Sequence, residues 1–283
     1  MAEQHQTRFY ASEQYYLPAD KAETARLNLQ HPVVVKAFEN RLSLVPLNLK
    51  SDDRVLESGA GTGIWALEFF EENRKKGIMF DMECIDISDR QFPQNYPSSI
   101  HFSLHSVTGL PAEWSARFAY AHQRFLIAAM NDTLWRKAVS ELFRVLVPGG
   151  WVELVEADAN DTRNDVGPSS SKLQSILVNM HKEKGVVRNL GTYLPSLLEQ
   201  AGFVDVQCEV RRSPIGQSED AGLRGDVWAE FWKGLKRGVV NAGGYNIVKS
   251  GEEYEDLVNE ATIEWNTSNK AYNTYCTILG KKP

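Results

Sequence analysis

Three glycines lie close together where an apolar run gives way to a helical pattern. They occur in the segment Glu57-Ser58-Gly59-Ala60-Gly61-Thr62-Gly63. Glycine lacks a Cβ atom, so a turn of this kind lets a ligand approach the main chain and meet the free N–H groups at the start of a helix. The spacing G-x-G-x-G differs from the dinucleotide motif, because Ile64 replaces its last glycine, and no Gly-Lys-Ser/Thr follows as in an ATP-binding loop. The pattern therefore favours a ligand that lacks a pyrophosphate.

Asp86 supplies a carboxylate at the end of the next apolar segment, Cys84-Ile85-Asp86-Ile87-Ser88. An ionised carboxylate accepts hydrogen bonds from both hydroxyl groups of a ribose, and such charge-assisted bonds are roughly twice as strong as neutral ones. Taken singly, the glycines indicate an ordinary tight turn and Asp86 a solvated strand end. Together, at the ends of successive strands, they favour a cofactor that contains a ribose. S-adenosylmethionine (SAM) has the required parts: a ribose, an adenine, an amino-acid tail and a sulfonium cation.

Strands and helices must bring these residues together, and the apolar spacing predicts that the two alternate along the chain. The predicted strands are Arg54–Ser58, Met79–Asp86, Ile100–Leu104, Arg117–Ala121, Trp151–Val155, Val204–Arg211 and Tyr272–Leu279. The predicted helices are Ala19–Gln30, Val33–Val45, Ile64–Asn73, Leu134–Val145, Lys172–Lys184 and Tyr193–Gln200, with a mainly helical insertion over 216–267. This order predicts an α/β fold, a Rossmann-like and mostly parallel sheet of seven strands with helices on both faces. Its ligand is expected beyond the carboxyl ends of the strands.

The composition narrows the choice of partner. The 283 residues include 42% hydrophobic and 24% charged residues, which is typical of a folded globular protein. The net charge of −6 provides no positive field that would attract nucleic acid. No apolar stretch approaches the roughly 20 residues that span a bilayer, no secretion signal opens the chain, and the three cysteines lack the spacing of a zinc site. We therefore expect a cytoplasmic protein that binds neither nucleic acid, nor a membrane, nor a metal.

Three motifs, in this order and spacing, resemble the motif series of class I SAM-dependent methyltransferases. They are the glycine segment with Val55-Leu56 before it, then Ile85-Asp86-Ile87-Ser88, then Leu146-Val147-Pro148-Gly149-Gly150-Trp151. More narrowly, the chain resembles the LaeA-like branch that is common among fungal secondary-metabolism enzymes. The residues that carry this second resemblance are Tyr16-Leu17-Pro18-Ala19-Asp20 with Glu23, Arg26-Leu27, Gln30-His31, Gly63-Ile64-Trp65-Ala66, Ala201-Gly202-Phe203 and Gly280-Lys281-Lys282-Pro283. The resemblance covers nearly the whole chain.

The resemblance implies that SAM binds at the turn after the first strand and that an N-terminal helical lid covers it. The implied cofactor-binding residues are Tyr16, Arg26, Glu57, Gly59, Ala60, Gly61, Gly63, Asp86, Ile87, Ser106, Val107 and Gln123. Arg26 suits the methionine carboxylate, although a surface pair with Glu23 also explains it. Glu57 stands where the family usually has Asp. Because no acidic residue follows the third strand to receive the adenine amine, Ser106 or the backbone is expected to make that contact.

The acceptor is expected beyond the fourth and fifth strands. His122 is a candidate base, because its imidazole pKa near 6.5 suits proton removal at neutral pH, but a strand-end histidine bonded to backbone is an equally good interpretation. The other residues implied to bind the acceptor are Glu156, Asp158, His181 and Trp228. A solvated helix face explains His181 as well, and simple packing explains the aromatic cluster around Trp228.

We therefore expect one methyltransferase domain over 1–283, with the lid at 1–46, the SAM-binding core at 47–157 and an acceptor-side half at 158–283. The insertion over 216–267 is either a lid or the surface of a homodimer. Transfer of a methyl group to O, N or C is an in-line displacement, in which alignment supplies much of the acceleration and a base is optional. The expected acceptor is a small molecule. The alternatives are a regulatory protein that binds SAM without turnover and a protein methyltransferase.

Overall fold

The computed structural model describes Tyr10, residues 15–216 and residues 222–283. The predictions for the first nine residues, for residues 11–14 and for residues 217–221 lie outside the described residues. Within the described ranges, no helix is long and apolar enough to cross a membrane.

A mixed sheet of seven strands forms the centre of the described part of the chain. The strands are β1 (Arg54–Ser58), β2 (Asp81–Asp86), β3 (Ile100–Leu104), β4 (Phe118–Arg124), β5 (Leu146–Ala157), β6 (Val204–Pro214) and β7 (Tyr272–Lys281). Their order across the sheet is β3-β2-β1-β4-β5-β7-β6. Strands β1 to β5 pair in parallel, whereas β7 lies antiparallel between β5 and β6. The strand order reverses between β1 and β4, and a crevice for a ligand is expected there.

Helices cover both faces of the sheet. They are α1 (Lys21–Ala37), α2 (Ile64–Lys75), α3 (Asp132–Val145), α4 (Pro168–Lys184), α5 (Leu190–Gln200), α6 (Gly225–Asn241) and α7 (Gly251–Thr267). Successive side chains of a strand point to opposite faces, so in β1 Leu56 packs with α3 and α5 while Val55 packs with α2. A separate apolar cluster joins α4, α6 and α7 to Tyr16 and Leu17. The predicted α/β fold and helical insertion are thereby confirmed, with the insertion built from α6 and α7.

The predicted pair of N-terminal helices is wrong, because a single helix takes their place. The side chain of Asp20 accepts the N–H of Glu23 over 3.0 Å and begins α1, which then continues through Pro32 to Ala37. Glu39 and Asn40 adopt left-handed φ angles of 62° and 59°, which end the helix. The apolar spacing after residue 37 therefore belongs to a segment of turns and irregular backbone whose apolar side chains pack on the sheet.

Candidate functional site

The turn after β1 is tied to the end of β2 by hydrogen bonds. Gly59 and Gly61 adopt the left-handed conformation, with φ angles of 68° and 52°. The N–H of Gly61 donates to Oδ2 of Asp86 over 2.9 Å, and the N–H of Ser88 donates to Oδ1 over 3.1 Å. Burial raises the pKa of Asp86, and these backbone hydrogen bonds oppose the shift. The carboxylate is therefore held in one orientation, and each oxygen keeps a lone pair for a ligand.

A first cavity, of about 240 Å³, lies beside this turn at the carboxyl ends of β1, β2 and β4. The residues implied for the cofactor that line it are Gly59, Ala60, Gly61, Asp86, Ile87, Ser106 and Val107. Residues of α1 and of the segment before it close one side, among them Tyr15, Leu27 and Gln30. The cavity thus occupies the point where the strand order reverses, which is the expected ligand position in an open α/β sheet.

Five residues implied for the cofactor do not line the first cavity, and three of them, Gly63, Gln123 and Glu57, lie in the turn after β1 or inside the sheet. Gly63 precedes α2, where a Cβ atom would stand 2.7 Å from Cζ of Phe102. Gln123 is buried in β4 and accepts the hydroxyl of Ser58 over 3.0 Å. Glu57 is buried in β1. These side chains are placed to hold the strands and the turn, and contact with a cofactor stays a prediction for them.

His122 lies inside β4, because the strand continues three residues beyond its predicted end to Arg124. Its ring stacks on Trp65 of α2 with ring centroids 3.6 Å apart, and its Nδ1 lies 2.5 Å from Oε2 of Glu57. Burial lowers the pKa of His122 to about 3 and raises the pKa of Glu57 well above its ordinary value. Burial thus disfavours the charged form of both members of this hydrogen-bonded pair. His122 lines neither the first cavity nor the second one described below, and its contact with the acceptor stays a prediction.

Arg124, at the end of β4, brings a guanidinium group to the first cavity. It is the only arginine or lysine among the described residues that line this cavity. Its Nη1 donates to Nδ1 of His31 over 2.8 Å, and Nε2 of His31 then donates to Glu68 over 2.9 Å. Burial and the charge of Arg124 lower the pKa of His31, so the imidazole is neutral. Helix α1 thus fixes the direction of a positive group at the edge of the cavity.

The loop after β4 is shaped by Glu156 of β5. Both carboxylate oxygens of Glu156 accept backbone N–H groups, from Leu126 over 2.8 Å and from Ile127 over 3.1 Å. Phe125, just before them, has a left-handed φ angle of 56°, which is uncommon for an aromatic residue. Burial raises the pKa of Glu156 to about 8. Glu156, implied to bind the acceptor, lines neither cavity and instead positions the loop that lines both.

A second cavity, of about 100 Å³, adjoins the first. Four residues line both cavities: Tyr15, Leu27, Gln30 and Phe125. Tyr16 and Arg26, implied for the cofactor, and His181 and Trp228, implied for the acceptor, all line the second cavity. The structure thus brings the N-terminal segment, the loop after β4 and helices α4 and α6 together around one apolar space.

Arg26 is already paired within α1. Its guanidinium donates to both carboxylate oxygens of Glu23, over 2.6 and 2.8 Å, and to Gln30 over 3.2 Å. Arg26 and Glu23 form the pair that the sequence spacing indicated, but both are buried rather than exposed at the surface. Asp158, implied for the acceptor, accepts the N–H groups of Asn160, Asp161 and Gly191 and lines neither cavity. It fixes the start of the segment after β5.

Comparisons with known proteins give this site a family. A family model described as a methyltransferase domain matches residues 29–208. The N-methyltransferase sirN of Leptosphaeria maculans is 30% identical over 78% of this chain and 77% of its own length. The methyltransferase grgD of a Penicillium species is 29% identical over 60% of this chain, and the match spans only 61% of that relative. The secondary metabolism regulator LAE1 of Gibberella fujikuroi is 28% identical over 96% of this chain and 88% of its own.

The chain belongs to the class I SAM-dependent methyltransferases. Its fungal relatives include N-methyltransferases and the secondary metabolism regulator LAE1. Solved structures agree in fold: the YcgJ protein of Bacillus subtilis matches with a TM-score of 0.53 at 17% identity, over 89% of this chain and 98% of that one. Phosphoethanolamine N-methyltransferase 2 of Haemonchus contortus, solved in complex with SAM, matches with a TM-score of 0.51 at 15% identity, over 90% of this chain and 52% of that one.

Several residues of this methyltransferase site were not identified from the sequence. Arg124 and Phe125 follow directly on His122-Gln123, but the predicted strand ended before them, so only their position in the assembled sheet brings them to the cavity. Tyr15 directly precedes Tyr16, which was predicted to bind the cofactor, but no sequence pattern identified Tyr15 itself. The pair of Asn164 and Gln174, which lines the second cavity, follows a polar stretch that reads as an ordinary loop and helix start. In the described ranges, no group of three or more His, Cys, Asp or Glu side chains is placed to hold a metal ion.

Proposed function

We propose that this protein transfers a methyl group from SAM to a nitrogen atom of a small-molecule acceptor from fungal secondary metabolism. The observation that carries the proposal is the pair of adjoining cavities. The first combines glycine backbone, the Asp86 carboxylate and the Arg124 guanidinium. The second is enclosed largely by aromatic and aliphatic side chains and opens beside it. A cofactor and an apolar acceptor placed in the two cavities meet at Tyr15 and Phe125, which line both.

The polar groups of the first cavity fit the parts of SAM. The Asp86 carboxylate suits the two ribose hydroxyls, because its orientation is fixed by Gly61 and Ser88. A Cβ atom at Gly59 would stand 2.8 Å from Leu126 at a φ angle of 68°, so only glycine fits this position of the turn. Arg124 is the cation for the methionine carboxylate, in place of the expected Arg26, whose guanidinium is already bonded to Glu23 and Gln30. SAM, when bound, supplies a methyl group on a sulfonium sulfur.

The protein contributes positioning and exclusion of water. Glu156 holds the backbone of Leu126 and Ile127, and so fixes the loop between the two cavities. The segment from Tyr15 through α1 covers both cavities, in agreement with the proposed N-terminal lid at 1–46. Alignment of an acceptor atom with the methyl group accounts for much of the rate in reactions of this type, up to roughly 7–11 kcal/mol. The acceptor-side half, 158–283, supplies the other walls through α4 and α6.

Nitrogen is favoured as the methylated atom by the relatives. The names of sirN, of gliN of Aspergillus fumigatus and of tcpN of Claviceps purpurea all contain the word N-methyltransferase. They are 28–30% identical to this chain over more than two thirds of its length. A free amine or an amide nitrogen of the acceptor is accordingly the proposed site of transfer.

Calorimetry with SAM and with S-adenosylhomocysteine (SAH) tests the cofactor part of the proposal. Saturable binding of both is expected. Arg124→Gln is expected to weaken both by about 10–150-fold, since a hydrogen bond between charged groups contributes roughly 1.5–3 kcal/mol. Arg136→Gln is the matched control, because Arg136 is half-exposed and pairs with Asp132 on α3, away from both cavities. Absence of SAM binding by the folded protein would refute the proposed function.

A regulatory protein that binds SAM without turnover is the second candidate. It is favoured by the length of the match to the LAE1 regulator, which covers 96% of this chain. The two candidates differ in SAH release. Incubation with SAM and metabolite extracts of fungal cultures is expected to yield SAH above the level without extract, and the loss of this release in Asp86→Asn would tie it to the first cavity. Tight SAM binding with no release across many extracts would favour the regulator.

A further inference from the structure

The second cavity contains buried polar atoms that have no hydrogen-bond partner. They are Nδ1 of His181, Nε1 of Trp228, Oδ1 of Asn164, Oε1 of Gln174 and the hydroxyl of Tyr275. His181, Trp228, Asn164 and Tyr275 are each more than nine-tenths buried. Leaving a polar group unpaired in an apolar space is unfavourable, so five of them on residues around one cavity point to a ligand that pairs with them.

The hydrogen bond of Tyr16 decides which tautomer His181 adopts. The Tyr16 hydroxyl lies 2.9 Å from Nε2 of His181. Tyr16 makes no other hydrogen bond in the described structure. A hydroxyl that donated nowhere would be a second unpaired buried group, so the O–H donates to Nε2. The proton of His181 is then on Nδ1, which becomes an unpaired donor on a residue that lines the cavity.

The unpaired groups therefore comprise two donors, two acceptors and the Tyr275 hydroxyl, which can act as either. The donors are Nδ1–H of His181 and Nε1–H of Trp228, and the acceptors are the side-chain oxygens of Asn164 and Gln174. A carbonyl oxygen of a ligand would accept from the two donors, and an N–H group of a ligand would donate to the two acceptors. A secondary amide or a lactam carries both groups next to each other.

The charges and walls of the cavity exclude an ionic ligand. Arg26, its only arginine or lysine among the described residues, is neutralised by two hydrogen bonds from the guanidinium to Glu23. Burial and the charge of Arg188 lower the pKa of His181 to about 3, so the imidazole is neutral at physiological pH. Trp228 stacks on Phe231 with ring centroids 4.8 Å apart, and both rings face the space. A flat, neutral molecule suits such walls.

We propose that the second cavity selects a neutral acceptor that contains a secondary amide or lactam, with the carbonyl bound by His181 and Trp228 and the N–H bound by Asn164 and Gln174. The inference rests on the proposed function only in assigning this cavity to the acceptor. Binding of a lactam needs no methyl transfer, so the two can fail separately. The imidazole acts as a hydrogen-bond donor that selects the substrate, and no proton transfer through it is required.

Three bicyclic probes of nearly equal shape test the proposal. Oxindole is a lactam with both groups, indole keeps the N–H and lacks the carbonyl, and benzofuranone keeps the carbonyl and lacks the N–H. With SAH present at saturation, calorimetry is expected to show oxindole binding about tenfold or more tightly than indole or benzofuranone. The reason is that each of these two probes lacks one of the groups and leaves its protein partners unpaired. Equal binding of the three, or no binding of any, would overturn the proposal. The SAH titration in the same experiment reports separately on the proposed function.

The variant His181→Phe keeps a ring of similar size and removes the donor. The preference for oxindole over indole is expected to disappear, while SAH affinity stays within about twofold. His101→Phe is the control, since His101 is an exposed histidine of β3. An unchanged preference in His181→Phe would refute the role of the imidazole.

A spectroscopic measurement on the unaltered protein covers the case in which that variant does not fold. In the ¹⁵N spectrum of histidine-labelled protein, Nδ1 of His181 is expected to carry the proton and Nε2 to be bare. Oxindole is expected to shift the Nδ1 signal and indole to leave it unchanged. A protonated Nε2, or an Nδ1 signal that oxindole does not move, would contradict the proposal.

Discussion

Replacement of Asp86 by asparagine tests the most specific part of the cofactor site. The carboxylate accepts one backbone N–H on each oxygen, from Gly61 over 2.9 Å and from Ser88 over 3.1 Å. Asparagine has nearly the same shape but only one oxygen acceptor. Its NH₂ group can only donate. In either orientation it therefore faces a donor that needs an acceptor, which is a backbone N–H or a ribose hydroxyl. The substitution therefore removes the negative charge and at least one hydrogen bond without opening a cavity.

The expected loss follows from the hydrogen bonds that change. A hydrogen bond to a charged group contributes about 1.5–3 kcal/mol, so losing one raises the dissociation constant for SAM by roughly 10–150-fold. Because burial raises the pKa of Asp86, the unaltered protein is also expected to lose SAM affinity as the pH falls through that raised pKa. The variant has no carboxylate to protonate, so its affinity is expected to stay flat over the same pH range.

Calorimetric titration with SAH measures the effect without turnover. Asp89→Asn is the matched control, because Asp89 is exposed three residues further along and does not line the first cavity. Its affinity for SAH is expected to equal that of the unaltered protein. If Asp86→Asn folds and binds SAH within about threefold of the unaltered protein, Asp86 does not contact the ribose.

Three further substitutions test the supporting structure. Gly59→Ala places a Cβ 2.8 Å from Leu126 at a φ angle of 68°, whereas Gly77→Ala at 80° meets nothing within 4 Å. Both are expected to lose about 1–2 kcal/mol of unfolding free energy to backbone strain, but only Gly59→Ala should weaken SAM binding; equal affinities in calorimetry would contradict this. Burial raises the pKa of Glu156 to about 8, so the folded state keeps a proton that the unfolded state releases above about pH 4.5. The free energy of unfolding is therefore expected to fall as the pH rises from about 4.5 to about 8. Glu156→Gln removes this dependence, and urea unfolding should show the variant gaining roughly 4 kcal/mol on the unaltered protein between about pH 5 and about pH 8; parallel pH curves would count against it. His122→Phe leaves Glu57 without its partner and is expected to cost about 1–3 kcal/mol in urea unfolding, while SAM-dependent SAH release persists; a folded variant without release would make His122 a catalytic residue.

The fold was predictable because the sequence patterns that define its strands are local. Strand β3 was predicted to the residue, and β1 likewise, since short apolar runs bounded by polar or glycine residues define buried parallel strands. The N-terminal pair of helices failed for the opposite reason. Helix α1 continues through Pro32 without a break, and its end lies just before the left-handed Glu39 and Asn40. The sequence did not predict a left-handed φ angle at either residue.

The glycine turn and the carboxylate of Asp86 were determined by the sequence itself. Bare backbone requires glycine whatever surrounds it, and a carboxylate at the end of β2 must meet the turn after β1 because parallel neighbours end at the same edge. The tertiary structure alone decided the remaining roles. Extension of β4 buried His122 against Trp65, pairing with Glu23 occupied Arg26, and the antiparallel return of β7 beside β5 enclosed the second cavity. Residue type fixes which hydrogen bonds a side chain makes, but its partners come from distant parts of the chain, and only packing determines which of them it meets.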